Sequence, residues 1–262
     1  MNDPLPNPYD HTGRVALVTG GTKGIGRHIA AAYVAAGASV VVCGRTPPEG
    51  ADEVPEGQPT FVACDVRDSD QVQALVDGTV ELFGHLDVVV NNAGGAPWVD
   101  SATASPRFNE KIVALNLIAP FTVAQAANRV MQDQDDGGAI VNIASVSGTR
   151  PSPGTAAYGA AKAGLLNLTQ TLAVEWAPKV RVNAVVAGLI ATEQAHLFYG
   201  DADTQAAVAA TVPMGRLGHP DDVAGACLYL SSSAASYVTG AALPVHGGNE
   251  RPAYLSVSSP GD

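Results

Sequence analysis

Two side chains in the central part of the sequence have types and spacing that suit proton transfer. Tyr158 and Lys162 stand four residues apart, and Ser145 lies thirteen residues before the tyrosine. In a helix, residues four apart share one face, so the ammonium group lies beside the phenol. A nearby positive charge favours phenolate and lowers the phenol pKa. The pair therefore suits general acid/base chemistry on a carbonyl or an alcohol.

A glycine-rich segment, residues 19–26, lies between the first apolar run and a helical pattern. Gly20 allows a tight turn, while Gly24 and Gly26 let backbone and helix approach a pyrophosphate. The first N–H groups of the following helix point at such a phosphate. A plain glycine-rich turn is the alternative, which the position between strand and helix disfavours. Interconversion of a carbonyl and an alcohol also requires a hydride donor or acceptor, which a dinucleotide provides. We therefore expect a dinucleotide at this turn.

The second strand ends in residues that bear on cofactor preference. Arg45 and Thr46 stand nineteen and twenty residues past Gly26, where an NAD-selective site usually carries an acidic residue. A guanidinium suits a 2′-phosphate, and Lys23 adds a second positive charge. A solvated arginine at a strand end is the alternative. The pattern favours NADP(H), with NAD(H) also possible.

Short apolar runs alternate with longer amphipathic ones, which predicts alternating strands and helices. Strands are expected near 14–19, 39–43, 60–64, 86–90, 138–143, 180–185 and 242–245. Helices are expected near 24–36, 69–83, 107–132, 156–177 and 220–231. Runs such as 15–18 and 40–42 are apolar on both faces, as in strands covered by helices on each side. We predict an α/β fold: a single-domain, Rossmann-type, doubly wound parallel seven-stranded sheet with helices on both faces.

The domain is expected to span 14–248, after an N-terminal extension, 1–13, and before a C-terminal tail, 249–262. Residues 46–59 contain four prolines and two glycines, so an irregular acidic loop is predicted there instead of a crossover helix. A second non-regular stretch, about 191–216, is expected near the ligand crevice, where it would serve as a lid.

The composition limits the kinds of partner that the protein is expected to bind. The chain has 262 residues, a net charge of −11 and 46% hydrophobic residues, which disfavours nucleic acid or an anionic membrane surface. No signal-like segment or apolar run of about 18 residues is present. Cys43, Cys64 and Cys227 are expected to be reduced, packed thiols in a cytoplasmic protein. The six histidines show no metal-ligand spacing, so no metal is predicted.

From Arg14 to Gly248 the sequence resembles the short-chain dehydrogenase/reductase family. The ordered matches are 19–26, Asp65-Val66, Asn91-Asn92-Ala93-Gly94, Asn116, Ser145, Tyr158 with Lys162, Val182-Asn183-Ala184, Gly188, Thr192, 213–218 and 237–240.

The resemblance implies roles for these residues. Tyr158 is the general acid/base, Ser145 orients and polarises the substrate oxygen, and Asn116 supports a water-linked proton path. Lys162 binds the nicotinamide ribose and lowers the tyrosine pKa. The cofactor contacts are expected from Gly20, Thr22, Lys23, Gly24, Ile25, Gly26, Arg45, Thr46, Asp65, Val66, Asn92, Ala93, Gly94, Tyr158, Lys162, Gly188, Ile190 and Thr192.

Plainer interpretations stay open for several of them. Ser147 competes with Ser145 as the hydroxyl, although spacing to the tyrosine favours Ser145. Asn116 is alternatively a buried amide satisfied by backbone. Asp65 and Asn92 line the adenosine or cap strand ends.

The sequence departs from the family at two positions. Ala187 precedes Gly188 where the family often has proline, and His246 stands where the last strand often carries aspartate. We assign His246 no catalytic role.

The sequence thus predicts an NADP(H)-dependent oxidoreductase that acts on a ketone or secondary alcohol, with an apolar or acyl-type substrate. An apolar pocket lining is expected from Pro97, Trp98, Leu189, Leu197, Phe198 and Tyr199. A member specialised for dehydration or epimerisation, or a catalytically silent NADP-binding sensor or scaffold, is the alternative. The resemblance and the apolar helices 107–132 and 156–177 predict a homotetramer or a dimer.

Overall fold

The computed structural model describes residues 7–47 and 58–252. Seven parallel strands form one sheet with the order β3-β2-β1-β4-β5-β6-β7. The strands are β1 (Val15–Thr19), β2 (Ser39–Gly44), β3 (Thr60–Ala63), β4 (Val88–Asn91), β5 (Gly138–Ser145), β6 (Val180–Ala187) and β7 (Ala242–Val245). All seven predicted strands are confirmed within a few residues.

The helices are α1 (Gly24–Ala35), α2 (Ser69–Phe83), α3 (Pro106–Val113), α4 (Ala119–Asp133), α5 (Ala156–Trp176), α6 (His196–Tyr199), α7 (Ala202–Thr211) and α8 (Pro220–Ser231). Among the described helices, none is both long enough and apolar enough to cross a membrane. Cys43, Cys64 and Cys227 are buried free thiols, as predicted.

The strands are apolar on both faces because each face is covered by its own helices. Leu17 and Val41 belong to a core that includes side chains of α2 and α4. Their neighbours Val18 and Val42 belong to a second core, built with α1 and α8. Since side chains alternate along a strand, this division confirms the doubly wound arrangement.

The strand order reverses beside β1, which pairs with β2 on one side and with β4 on the other. Ligands of open α/β sheets bind at such a switch point, outside the carboxyl ends of the strands. The glycine-rich turn after β1 and Ser145 at the end of β5 both lie at these ends.

The predicted helix 107–132 is not continuous. It divides into α3 and α4, joined by a π-helical turn at Ala114–Ile118 that contains Asn116. Pro120 has no backbone N–H, so the α-helical bond to the carbonyl of Asn116 cannot form. Such π-turns are frequent at functional sites.

The prediction of a non-regular stretch at 191–216 was wrong in part, because α6 and α7 lie within it. The carboxylate of Asp201 caps α7 by accepting from the N–H of Thr204 at 2.9 Å. The alanine-rich segment that follows has high helix propensity. The acidic loop predicted at 46–59 lies mostly outside the described residues, as does most of the C-terminal tail.

A buried polar network joins the N-terminal segment to α1 and α8. His11 is fully buried, and its Nε2 lies 3.0 Å from the hydroxyl of Ser231. The same hydroxyl lies 2.7 Å from the phenol of Tyr33. Burial is the largest effect on the imidazole of His11 and lowers its pKa below the ordinary 6.5.

Candidate active site

Ser145, Tyr158 and Lys162 meet at the carboxyl end of β5. The hydroxyl of Ser145 lies close enough to the phenol of Tyr158 to lower its pKa. Lys162 is buried, and its Nζ lies 5.6 Å from the ring centroid of Tyr158. Nζ also donates to the carbonyl oxygen of Ile143 at 2.7 Å. Strand β5 thus supplies both the hydroxyl and the carbonyl that hold the helical pair.

The neighbouring serine makes different contacts. The hydroxyl of Ser147 accepts a hydrogen bond from Ser152 at 3.0 Å, and its backbone N–H donates to Ser145 Oγ at 3.1 Å. The structure therefore places Ser145 against the phenol and uses the N–H of Ser147 to orient it.

Burial disfavours the charged form of both helical side chains. It lowers the pKa of Lys162 to about 8. It raises the phenol pKa of Tyr158, an effect that the Ser145 hydroxyl opposes. Desolvation thus costs the phenolate of Tyr158 more than the interaction with Ser145 stabilises it. The lowering of this pKa by Lys162 stays a prediction.

The side chain of Asn116 is fully buried and hydrogen-bonded to backbone. Its Oδ1 accepts from the N–H of Gly95 at 2.8 Å, and its Nδ2 donates to the carbonyls of Gly95 and Ile112 at 3.0 and 2.9 Å. All the amide hydrogens are thereby used. A Cβ on Gly94 would lie 2.7 Å from Asn116 Oδ1 and 3.4 Å from Lys162 Nζ, so only glycine fits between them.

The glycine-rich turn leaves no room for side chains. Gly20 has a φ of +64°, and a Cβ on Gly26 would lie 2.2 Å from the carbonyl oxygen of Gly20. The amide of Asn92 supports the turn by donating to the carbonyls of Thr19 and Gly20 at 2.9 and 3.1 Å. The Asn92 side chain therefore supports the backbone of the turn. This contact corresponds to the interpretation of Asn92 as a residue that caps a strand end.

The N–H groups of Asn92 and Ala93 also bind the turn, through the hydroxyl of Thr19 at 3.0 Å each. Ile25 packs against the core between the sheet and α1 and α8. Ala93 and Ile25, the two apolar residues, thus support the glycine-rich turn from the side of the core.

Helix α1 begins at Gly24, and within the described part of the chain its N-cap residue, Lys23, makes no side-chain cap. The N–H of Gly24 instead donates to Oε1 of Glu193 at 2.8 Å. This bond is the largest cause of the lowered pKa of Glu193. A helix N-terminus is a natural site for a phosphate, so the carboxylate lies at a helix end that suits an anionic group. Sequence reasoning missed Glu193, although it directly follows Thr192.

The end of β2 exposes Arg45 and Thr46. The carboxylate of Asp65, close enough to Arg45 for their charges to interact, is paired with Arg67 at 2.5 and 2.9 Å. This pairing lowers the pKa of Asp65 to about 2. Arg67 was missed by the sequence prediction, and it pairs with a carboxylate close to Arg45.

Other predicted cofactor residues surround these groups. A Cβ on Gly44, at the end of β2, would lie 3.6 Å from the hydroxyl of Thr22. Lys23 is exposed, and Val66 is buried beside Asp65. The turn and the end of β2 thus face each other.

The chain after β6 returns over the glycine-rich turn. Ile190 pairs with Gly218 in an isolated bridge, and the methyl of Thr192 would lie 3.7 Å from a Cβ on Gly24. A Cβ on Gly188 would lie 2.6 Å from the Cβ of His246. His246 therefore packs against the backbone after β6, which accounts for its position without assigning it chemistry.

Apolar side chains lie around the opening. Trp98 is 72% exposed, Leu197 is 66% exposed, and Tyr199 is near enough to Tyr158 to raise its pKa. A Cβ on Gly154 would overlap the indole of Trp98, so the ring lies directly on this glycine. Of the other predicted lining residues, Pro97 and Leu189 keep some exposure, while the side chain of Phe198 is not described.

These residues fit a dinucleotide. The turn excludes side chains at Gly26, the N-terminus of α1 offers N–H groups, and Arg45 is exposed beside a neutralised carboxylate. The acid/base pair lies at the same edge of the sheet.

Comparisons with known proteins agree with this geometry. A family model described as enoyl-(acyl carrier protein) reductase matches residues 20–250. The chain is 38% identical over 245 residues to L-rhamnose 1-dehydrogenase (NAD(P)(+)) of Azotobacter vinelandii, covering 90% of this chain and 96% of that protein. It is 37% identical over 250 residues to 3beta-hydroxysteroid dehydrogenase 1 of Eggerthella lenta, covering 91% and 94%. The solved ligand-free aldohexose dehydrogenase of Thermoplasma acidophilum has a TM-score of 0.85 at 32% identity, covering 97% of this chain and 98% of that one.

Proposed function

The chain belongs to the short-chain dehydrogenase/reductase family and acts on alcohols, and we propose that it transfers hydride between NADP(H) and a ketone or secondary alcohol. The observation that carries this proposal is the contact of Ser145 with the phenol of Tyr158, with Lys162 beside it. These groups lie at the same sheet edge as the glycine-rich turn.

Each side chain has a role in the proposed reaction. Tyr158 takes the hydroxyl proton when an alcohol is oxidised and returns a proton to the oxygen when a ketone is reduced. Ser145 donates a hydrogen bond to the same oxygen. When bound, the cofactor would supply or accept the hydride. Lys162 binds the ribose and connects the phenol to the buried carbonyl of Ile143.

The role of Asn116 is positional in this proposal. Its amide fixes Gly95 and Ile112, and the π-helical turn around it holds Gly94 close to Lys162. Because both amide hydrogens are committed, the Asn116 side chain can join a water-linked proton path only as an acceptor.

The preference for NADP(H) over NAD(H) rests on Arg45. No carboxylate stands at residues 44–46, and Arg67 neutralises Asp65. Arg45 is therefore available for a charge-assisted hydrogen bond to a 2′-phosphate, with Lys23 adding a second charge.

An apolar or acyl-type substrate is favoured by the exposed side chains at the opening, Trp98 and Leu197. Exposed apolar surface of this kind often marks a binding site. A sugar or polyol is the second candidate, because relatives of this chain are named as L-rhamnose and aldohexose dehydrogenases.

We further propose a cytoplasmic homotetramer or dimer. Ile118 and Val174 are 51% and 81% exposed; Ile118 ends the π-helical turn before α4, and Val174 lies near the end of α5. Ala124, Leu165 and Leu172, by contrast, are buried in the chain itself and supply no such surface.

The deciding experiment is a turnover screen of apolar ketones, acyl thioesters, sugars and their alcohols with NADPH, NADP⁺, NADH and NAD⁺. Ser145→Ala should lose most activity in this screen, while Ser147→Ala keeps most of it. Tight NADPH binding with no turnover on any substrate would instead support the silent sensor or scaffold. Turnover without net oxidation or reduction would support dehydration or epimerisation.

A further inference from the structure

Two histidines and an aspartate from distant parts of the chain meet where α1 and α8 pack together. His28 Nδ1 lies 2.7 Å from Oδ1 of Asp221, and His219 Nδ1 lies 3.0 Å from Oδ2 of the same carboxylate. The three ligating atoms lie within 4.8 Å of one another. The two histidines are 191 residues apart in the sequence, so no local spacing could show the cluster.

The backbone beneath this cluster is firmly held. Ile29 and Val223, next to the cluster on α1 and α8, are fully buried. The phenol of Tyr33 ties the helices together by donating to the carbonyl of Cys227 at 3.1 Å. His219 is the N-cap of α8, where its side chain accepts from the N–H of Asp221. The three side chains therefore start from fixed positions.

The cluster brings together more electron-pair donors than protons. His219 Nδ1 accepts from the N–H of Asp221 at 3.3 Å, yet the same nitrogen faces a carboxylate oxygen at 3.0 Å. Both of these atoms carry lone pairs in that arrangement. A cation between them removes the conflict.

We propose that His28, His219 and Asp221 form a binding site for a divalent transition-metal ion such as Zn²⁺. Two imidazoles and a carboxylate are ligands that zinc and its neighbours accept. Metal–ligand bonds of about 2.0–2.1 Å in a tetrahedral site separate the ligands by about 3.3 Å, so each imidazole nitrogen needs to move only tenths of an ångström from the carboxylate oxygen that it faces at 2.7 or 3.0 Å. Arg216 adds no free positive charge, since it pairs with Asp222 at 2.7 and 3.1 Å.

The surroundings favour a cation of this kind. His28 is 28% exposed, and His219 and Asp221 are 58% and 67% exposed, so an ion and completing waters can enter. The net charge of −11 attracts cations. The ion would join α1 to α8, so it stabilises the fold through its binding to the native state.

Calorimetric titration of tag-free, chelator-treated protein with ZnCl₂ tests the proposal. We expect one Zn²⁺ per chain in the wild type. His219→Asn keeps an N-cap residue, and His28→Gln keeps the side chain's size; each should weaken binding at least about tenfold. His85→Gln is the matched control, because His85 also lies near a carboxylate, Asp87, at 3.2 Å but has no second imidazole; it should bind like the wild type.

Titration with CoCl₂ provides a second measurement, since ordered coordination by nitrogen and oxygen gives visible absorption bands that the two cluster variants should lose. The melting temperature should also rise with Zn²⁺ in the wild type and in His85→Gln only. Absence of Zn²⁺ binding to the wild type, or equal binding by His28→Gln and His219→Asn, would overturn the proposal.

Discussion

The carboxylate of Glu193 accepts a hydrogen bond from the backbone N–H of Gly24, 2.8 Å away, at the first residue of α1. A negative side chain thus occupies the end of the helix that attracts phosphates. Binding of a dinucleotide then requires this carboxylate to move or to share the N–H groups. We therefore propose that the loop after β6 and the cofactor compete for the N-terminus of α1.

We therefore expect Glu193→Gln to strengthen NADPH binding. The amide removes one negative charge at the helix N-terminus, which corresponds to about a two- to fivefold lower Kd. Fluorescence titration with NADPH measures the change. Glu81→Gln, an exposed change of the same charge on α2, is the control and should leave the Kd unaltered; weaker binding in Glu193→Gln would contradict the competition.

Replacing Tyr158 with phenylalanine should lower turnover by about 10²–10⁴-fold, the range typical of a positioned acid/base. The change removes one hydroxyl and no contact to a phosphate, so the Kd for NADPH should stay nearly the same. Steady-state kinetics and a binding titration separate the two effects. Tyr237→Phe changes a fully exposed ring and should keep wild-type activity, whereas near-normal turnover in Tyr158→Phe would disprove the mechanism.

Arg45→Asp should weaken NADPH far more than NADH. The substitution removes a charge-assisted hydrogen bond to the 2′-phosphate, which contributes about ten- to a hundredfold in affinity. The ratio of kcat/KM values for the two cofactors is the measurement. Arg107→Asp makes the same charge change on exposed α3 and should preserve the ratio. An equal loss for both cofactors in Arg45→Asp would show that the arginine does not bind the phosphate.

The buried imidazole of His11 should make stability depend on pH. Its pKa is lowered in the folded protein, so the unfolded chain takes up the proton more readily. The stabilisation is complete above the ordinary value of 6.5 and is lost as the pH falls below it.

His11→Gln should therefore be less stable near neutral pH, by about 1 kcal/mol for a lost hydrogen bond, but should depend less on pH. Urea unfolding at about pH 7.5 and about pH 5.5, on either side of the ordinary histidine pKa, measures both quantities. His85→Gln, at a partly exposed position, should keep the slope of the wild type. Identical slopes in His11→Gln and the wild type would exclude the buried histidine as the cause.

Light scattering should give a mass at least twice the chain's 26.6 kDa. Val174→Glu places a charge on the exposed surface of α5 and should shift the protein towards monomer, because an unpaired charge in an interface is costly. Leu82→Glu, on α2 at 58% exposure, is the control and should keep the assembly. A wild-type mass of one chain at micromolar concentration would reject the proposed oligomer.

Local patterns were sufficient for the sheet and for the catalytic spacing. Buried strands show as apolar runs, and Tyr158 and Lys162 are neighbours on one helix, so their proximity follows from the chain itself. Pro120 was a signal in the sequence for the π-helical turn. The apolar pattern continues through residues 107–132, however, and therefore predicted one unbroken helix. The contacts of Glu193 with Gly24 depend on how the chain returns after β6, which no local pattern encodes.

Trp98 lies on Gly154 at the opening of the site and is largely exposed. The chain has only two tryptophans, and the other, Trp176, ends α5 and packs against the core beside α2 and α4. An indole in water emits at longer wavelength than one that a ligand covers. Under the proposed function, Trp98 is therefore an optical reporter of substrate binding, and Trp176 is an internal reference within the same spectrum.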